Sequence, residues 1–302
     1  MTTQESPMKI KALAPWFGAK RNLAPRIVQM LGPHSVYWEP FCGSMAVLLV
    51  KPACVMETVN DLHRDLVNLA RVIQHGTYGP QFYRKLRRTL MVEELFNESA
   101  EVIREQDCGI VVDPERAYHY MLTAWLGRNG VAGTSTYNHH FCVRYTANGG
   151  HAAKRWDSVI RSIPAWRRRL ANVTILQRDA FELLLRIEDR AGTAIYVDPP
   201  YFRGTRNPNS GFGRRKGSGL YLHDFEAAEH DRLAEALHRF KKARVVVSYY
   251  DHPELERLYP TWTKRRIEVS KALAHQGRRG KNDTTAIEVL LLNGPSMVRT
   301  LF

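Results

Sequence analysis

The sequence predicts an α/β fold, a single sheet whose strands alternate with helices and which is interrupted by a mainly helical insertion. Three observations carry this. Short apolar runs of strand length occur early in the chain and again throughout its second half. Segments with a helical apolar period separate them. From about residue 77 to about 162, strand-like runs become rare and basic helical segments dominate. The expected division is therefore residues 1–76 with 163–302 as one domain and 77–162 as a domain inserted into it.

In chain order, residues from about 11 to 75 read as a loop, helix, strand, glycine loop, helix, strand, acidic turn and helix. Val36-Tyr37-Trp38 is the first strand, and Cys54 to Val59 supplies the second. The helix from Asp65 to His75 has Leu66, Leu69, Ala70 and Ile73 on one face, with Gly76 as its expected C-cap. The insertion offers helices at Gln81–Leu95 and at Pro114–Leu126 behind the N-cap Asp113. A polar stretch, Gly127 to Gly150, follows. Alternation then resumes with strands at Val173–Leu176 and Thr193–Val197. A helix is expected at Asp231–Lys242, with Leu233, Leu237 and Phe240 on one face, followed by a buried strand at Arg244–Tyr249. Ala286–Leu292 is a late strand, and Ile267-Glu268-Val269 a weaker one.

Composition narrows the function classes. The chain has 302 residues, enough for a full core. Its 44 basic and 30 acidic residues give a net charge of +14, which implies a polyanionic partner. No apolar run approaches the roughly 20 residues of a membrane span. The first five residues carry neither the charged nor the apolar region of a signal peptide. Cys42, Cys54, Cys108 and Cys142 form no Cys-x-x-Cys pair, so a zinc knuckle or disulfide framework is not indicated and a reducing cytoplasm is expected.

The chemistry concentrates in Asp198-Pro199-Pro200-Tyr201, directly after a buried strand. In open α/β sheets, ligands bind outside the carboxyl ends of the strands. This tetrapeptide suits the holding of a planar aromatic amine while its nitrogen is alkylated. Such an amine is a poor nucleophile because its lone pair is delocalised into the ring. Two acceptors on its hydrogens localise that pair and aim the nitrogen. Asp198 can supply one acceptor and the Pro199 carbonyl the other. Pro199 and Pro200 stiffen the corner and offer no N–H, and Tyr201 can stack on the base. A strand-ending turn would use the same residues, so the tetrapeptide alone leaves both readings open.

Other segments favour the catalytic reading. Pro15-Trp16-Phe17-Gly18-Ala19-Lys20, then Glu39-Pro40-Phe41-Cys42-Gly43-Ser44 and Asp198-Pro199-Pro200-Tyr201, stand in the order of the Dam-like DNA adenine methyltransferases and resemble that family. Asn60-Asp61 and Asp179-Ala180-Phe181 resemble two further motifs, with Ala180 standing where the family often has an aromatic residue. The resemblance runs from about residue 11 to about 293. It implies a Rossmann-like methyltransferase sheet, a target-recognition insertion, S-adenosylmethionine as cofactor and no metal. It implies a cofactor site at Trp16, Gly18, Lys20, Glu39, Phe41, Gly43, Asp61, Asp179, Ala180 and Asp198. It also implies double-stranded DNA as partner, a base flipped into the pocket and a nucleoid-associated cytoplasmic location. An aspartate at position 198 matches the family tendency toward adenine.

An acid at a strand end, as at Asp61, can bind both ribose hydroxyls, or else cap the next helix. The glycine loop lacks the Gly-x-Gly-x-x-Gly spacing that cradles a pyrophosphate. Arg128, Asn129, Thr134, Tyr137, His139 and Arg144 offer forked donors, amides and hydroxyls for reading a groove, against the alternative of an ordinary polar loop. Arg203, Arg206, Arg214 and Arg215 lie among glycines after the catalytic corner and are expected to close on phosphates. His139, His140 and Cys142 form too small a set for a metal site. Two rival readings are an RNA or cytosine-amine methyltransferase and a catalytically idle DNA-binding protein on the same fold.

Overall fold

The computed structural model describes residues 10–16, 20–105, 108–127, 140–143, 152–202, 225–270 and 285–295. Gly18 falls outside these residues, as do all ten expected DNA contacts: Arg128, Asn129, Thr134, Tyr137, His139, Arg144, Arg203, Arg206, Arg214 and Arg215. Gly127 and Phe141, which flank the expected groove reader, pair in an antiparallel bridge.

Seven strands among the described residues form one sheet: β1 (Val36–Glu39), β2 (Met56–Asn60), β3 (Val173–Leu176), β4 (Thr193–Val197), β5 (Arg244–Tyr250), β6 (Thr263–Ser270) and β7 (Thr285–Leu292). Their order is β3-β2-β1-β4-β5-β7-β6. The pairs β3–β2, β2–β1, β1–β4 and β4–β5 are parallel, while β7 runs antiparallel to both β5 and β6. The expected Rossmann-like sheet is present. Strand order reverses between β1 and β4, and the carboxyl ends of those two strands frame the crevice where such sheets bind ligands. All five residues of β4 are buried, which is why its sequence is a continuous apolar run rather than an alternating one.

The helices are α1 (Ala24–Leu31), α2 (Ala46–Val50), α3 (Arg64–Gln74), α4 (Tyr78–Arg87), α5 (Glu93–Glu105), α6 (Pro114–Leu126), α7 (Ala152–Leu170), α8 (Ala180–Arg186), α9 (Ala227–His238) and α10 (Glu254–Leu258). They cover both faces of the sheet. Ala194 and Tyr196 of β4 point into a core shared with α1, α2, α3 and the helices of the insertion. Ile195 and Val197 point into a second core with α8, α9 and α10. That alternation is the period of two of a strand buried on both sides.

Several boundaries differ from expectation. The helix expected at Gln81–Leu95 is two helices: α4 closes at Arg87 in tight-turn backbone bonds, Arg88 N donating to the Lys85 carbonyl and Thr89 N to that of Leu86. Glu93 and Glu94 then open α5, where acidic side chains suit the positive end of the helix. Helix α9 starts earlier than Asp231, since Glu226 and Glu229 cap one another's backbone. Helix α3 ends at a His75 cap rather than at Gly76. The weak strand at Ile267–Val269 is a full eight-residue strand, β6. The boundary expected between residues 162 and 163 falls inside α7, whose buried face runs unbroken through Val159, Ile160, Ile163, Trp166 and Leu170. The helices of the insertion and the sheet share one core, so no seam separates them there.

Candidate active site

Four strands meet at the site. Asp198 follows the last residue of β4. Its Oδ1 accepts from the Ser248 hydroxyl of β5 at 2.8 Å and from the Tyr201 hydroxyl at 3.3 Å. Lys20 Nζ lies 3.0 Å from the same oxygen. Tyr196, one turn of the pleat before Asp198, shares a hydrogen bond with Ser248 at 2.9 Å and so holds that donor in place. Among the described residues no donor reaches Asp198 Oδ2 or the Pro199 carbonyl. Among the described residues, then, one Asp198 oxygen is engaged three times and the other two acceptors are not engaged.

Tyr201 is buried, which its place beside an expected base stack does not suggest. Its ring packs edge-on against Tyr250 at 4.7 Å, with Lys20 Nζ 4.8 Å from its centre. Its hydroxyl donates to Glu288 of β7 at 2.5 Å. Burial and the nearby carboxylates push the phenol well above its usual range, so it stays a donor.

An open cleft beside this corner is lined by Trp16, Lys20, Glu39, Gly43 and Asp198 together with Cys42, Ser44, Ala46, Val47 and Tyr196. Glu39, the last residue of β1, is 2 % exposed and accepts from the Tyr37 hydroxyl at 2.9 Å. Burial pushes its carboxyl from 4.5 up to about 8, with the Asp198 charge adding to the rise. The folded chain then holds a proton that the unfolded chain releases above pH 4.5. The stability from this site is complete at acid pH and is lost as pH rises toward about 8. Glu39→Gln, with no proton to lose, is expected to flatten that decline. Melting temperatures of both proteins from about pH 5 to about pH 8 check it, and parallel curves would refute it.

Gly43 has φ +43°, and a Cβ there would lie 3.0 Å from Trp16 Nε1. Only glycine tolerates both the left-handed backbone and the indole lying against it. Met45 is also left-handed, at φ 58°, with its side chain in the core. Asp61 accepts from Gly43 N at 2.8 Å and from His63 N at 2.9 Å. The helix cap that follows is His63, not Asp61. Among the described residues each Asp61 oxygen accepts one backbone hydrogen bond, and a carboxylate oxygen has a second lone pair. Asp179 caps α8 by accepting from Phe181 N and Glu182 N. Ala180 is buried beneath it. Phe41 meets Phe225 edge-on at 5.7 Å, and Phe225 stacks on Phe181 at 5.7 Å.

Sequence reasoning missed the parts that hold these loops. Buried Asn60 donates to the carbonyls of Pro40 and Arg178 and accepts from Arg178 N, joining the loops after β1, β2 and β3. The segment before Trp16 is strapped down by two indoles, as Trp125 of α6 donates to the Leu13 carbonyl and Trp166 of α7 to that of Ile10. Leu13 N in turn donates to the Ser44 carbonyl of the glycine loop. Glu288 and Ser248 were missed as well. A carboxylate inside the apolar run Thr285–Leu292 was the available signal for the first; nothing in the sequence singled out the second.

Against known proteins, the family model for the D12 class N6 adenine-specific DNA methyltransferases matches residues 16–274. Among solved structures the chain is similar to SMU.472, described as a methyltransferase and complexed with SAH, at 12 % identity and a TM-score of 0.34. That match covers 98 % of this chain and 55 % of the other, so the chain spans about half the length of that relative. No curated protein matches the sequence.

Proposed function

This chain belongs to the D12 class N6 adenine-specific DNA methyltransferase family, and we propose that it methylates the exocyclic amine of an adenine flipped out of double-stranded DNA, with S-adenosylmethionine as donor. The observation that supports this best is the corner after β4. There Asp198 Oδ1 is engaged by Lys20, Tyr201 and Ser248, while among the described residues no donor engages Oδ2 or the Pro199 carbonyl. Two stiffly held acceptors are what the hydrogens of an aromatic amine need.

The residues present fit the cofactor. When bound, it supplies a methyl carbon on a positively charged sulfur. Buried Glu39 offers an acid that an ammonium group would ionise. Asp61 offers lone pairs to ribose hydroxyls, and the bare backbone of Gly43 under Trp16 leaves room beside the cleft. Gly18, Lys20, Phe41, Asp179 and Ala180 complete the proposed cofactor site. Pro200 stiffens the corner, and the Tyr201 ring, backed by Tyr250, limits the base slot on one side. In the same proposal the helical block 77–162 reads the DNA, with Arg128 and its neighbours in the groove and Arg203, Arg206, Arg214 and Arg215 on phosphates.

The test is methyl transfer from labelled S-adenosylmethionine to duplex DNA, single-stranded RNA and adenine-free duplex, followed by nucleoside analysis. N6-methyladenine from duplex DNA alone is expected. Label in RNA or cytosine, or none at all, would overturn the proposal. Gly43→Ala is expected to weaken S-adenosylmethionine binding about tenfold, because its Cβ would displace Trp16 and strain the loop by roughly 1–2 kcal/mol. Calorimetric titration checks this, and an unchanged dissociation constant would place Gly43 outside the cofactor site.

A further inference from the structure

Glu288 sits in mid-strand on β7, flanked by apolar residues and 4 % exposed. A buried carboxylate is costly unless it is paired. Its partners are Lys20 Nζ at 3.2 Å and the Tyr201 hydroxyl at 2.5 Å, both of which also engage Asp198. Lys20 therefore lies between two carboxylates, and Tyr201 bridges the same two.

We infer that Glu288 is a positioning residue of this site, which holds Lys20 and Tyr201 against Asp198 and keeps the corner one negative charge in excess, so that the cleft favours a sulfonium ligand over the neutral thioether left after transfer. This deepens the proposed function and rests on it. One ammonium and two carboxylates sum to a single negative charge. Without Glu288, Lys20 would neutralise Asp198 alone and the sum would be zero. Glu39, the other acid lining the cleft, is proposed to pair with the ammonium that both ligands carry, so it does not set the difference between them. Asp61 accepts from backbone N–H groups on both oxygens and, in the proposed function, serves the ribose rather than the sulfur. Between charges in a partly dehydrated cleft, one unit changes affinity by about tenfold or more.

The experiment measures dissociation constants for S-adenosylmethionine and S-adenosylhomocysteine by calorimetry on four full-length proteins: wild type, Glu288→Gln, Lys20→Met and the double variant. Glutamine still accepts the Tyr201 hydrogen bond and lacks only the charge. The measured quantity is the homocysteine-to-methionine ratio of dissociation constants, which reports charge and not mere folding. In Glu288→Gln it is expected to fall at least about tenfold. In Lys20→Met it is expected to rise, and in the double variant, whose charge sum equals that of wild type, to return to within about threefold of wild type. Should Glu288→Gln fail to fold, the double variant compared with Lys20→Met carries the test, with the same tenfold difference expected. A ratio in Glu288→Gln within about twofold of wild type overturns the inference and leaves the proposed function standing, as does a double variant that matches Lys20→Met. Wild-type protein that binds neither compound overturns both.

Discussion

Asp198→Ala is expected to lower single-turnover methyl transfer by about 10²–10³-fold or more while leaving the fold intact. One oxygen of this carboxylate serves the protein, through Ser248, Tyr201 and Lys20. The other faces no donor among the described residues and is the proposed acceptor for the amine. Removing it deletes one of two preorganised acceptors at the reacting nitrogen. Asp198→Asn sharpens the test. Lys20, Tyr201 and Ser248 all donate, so the amide oxygen must take the Oδ1 position. The amide nitrogen then takes the Oδ2 position and presents hydrogens where an acceptor is needed. The asparagine variant is thus expected to be nearly as slow as alanine despite its similar shape. Rates from rapid-quench experiments with saturating cofactor and duplex decide it. Near-wild-type transfer by either variant would remove Asp198 from the chemistry.

Arg116→Ala is expected to cost about 3–5 kcal/mol of stability. Arg116 lies on α6, with Nε 2.5 Å from Asp65 Oδ1 and Nη2 3.0 Å from Oδ2 on α3. Two further contacts run from the same guanidinium to the carbonyls of Val102 and Ile103 at 3.3 Å, near the end of α5. One guanidinium therefore ties α5 and α6 to α3. Its side chain is 6 % exposed and that of Asp65 13 %. Truncation leaves a poorly hydrated carboxylate and two unpaired carbonyls. Arg116→Lys should recover only part of the loss, since an ammonium cannot match the two-pronged contact. Denaturant unfolding measures both. A loss below about 1 kcal/mol would show that the two helical layers do not depend on this tie. Because they share one core, a single cooperative transition is expected rather than two.

The ends of β1, β2 and β4 were legible because each motif is local. An apolar run followed by an acid or a glycine states where a strand stops and what chemistry stands there. The same holds for α6, whose N-cap Asp113 and Pro114 are adjacent in sequence. The break between α4 and α5 was not legible, since α4 closes in backbone tight-turn bonds from Arg88 N and Thr89 N that no apolar period marks.

Sequence by itself determined the strand–helix alternation, the order of the motifs and the identity of Asp198, Glu39 and Asp61 as acids at strand ends. Only the tertiary structure decided how those acids are used. Glu288 meets Tyr201 across 87 residues of chain, and Asn60 meets Arg178 across 118. No periodicity or spacing encodes such pairs. They follow from the parallel order of β3, β2, β1 and β4 and from the antiparallel return of β7, which place distant residues at hydrogen-bond distance. The tripeptide before a proline or the phase of an apolar face is settled within a few residues. The protonation and direction of a buried carboxylate are settled by whichever groups the fold brings against it.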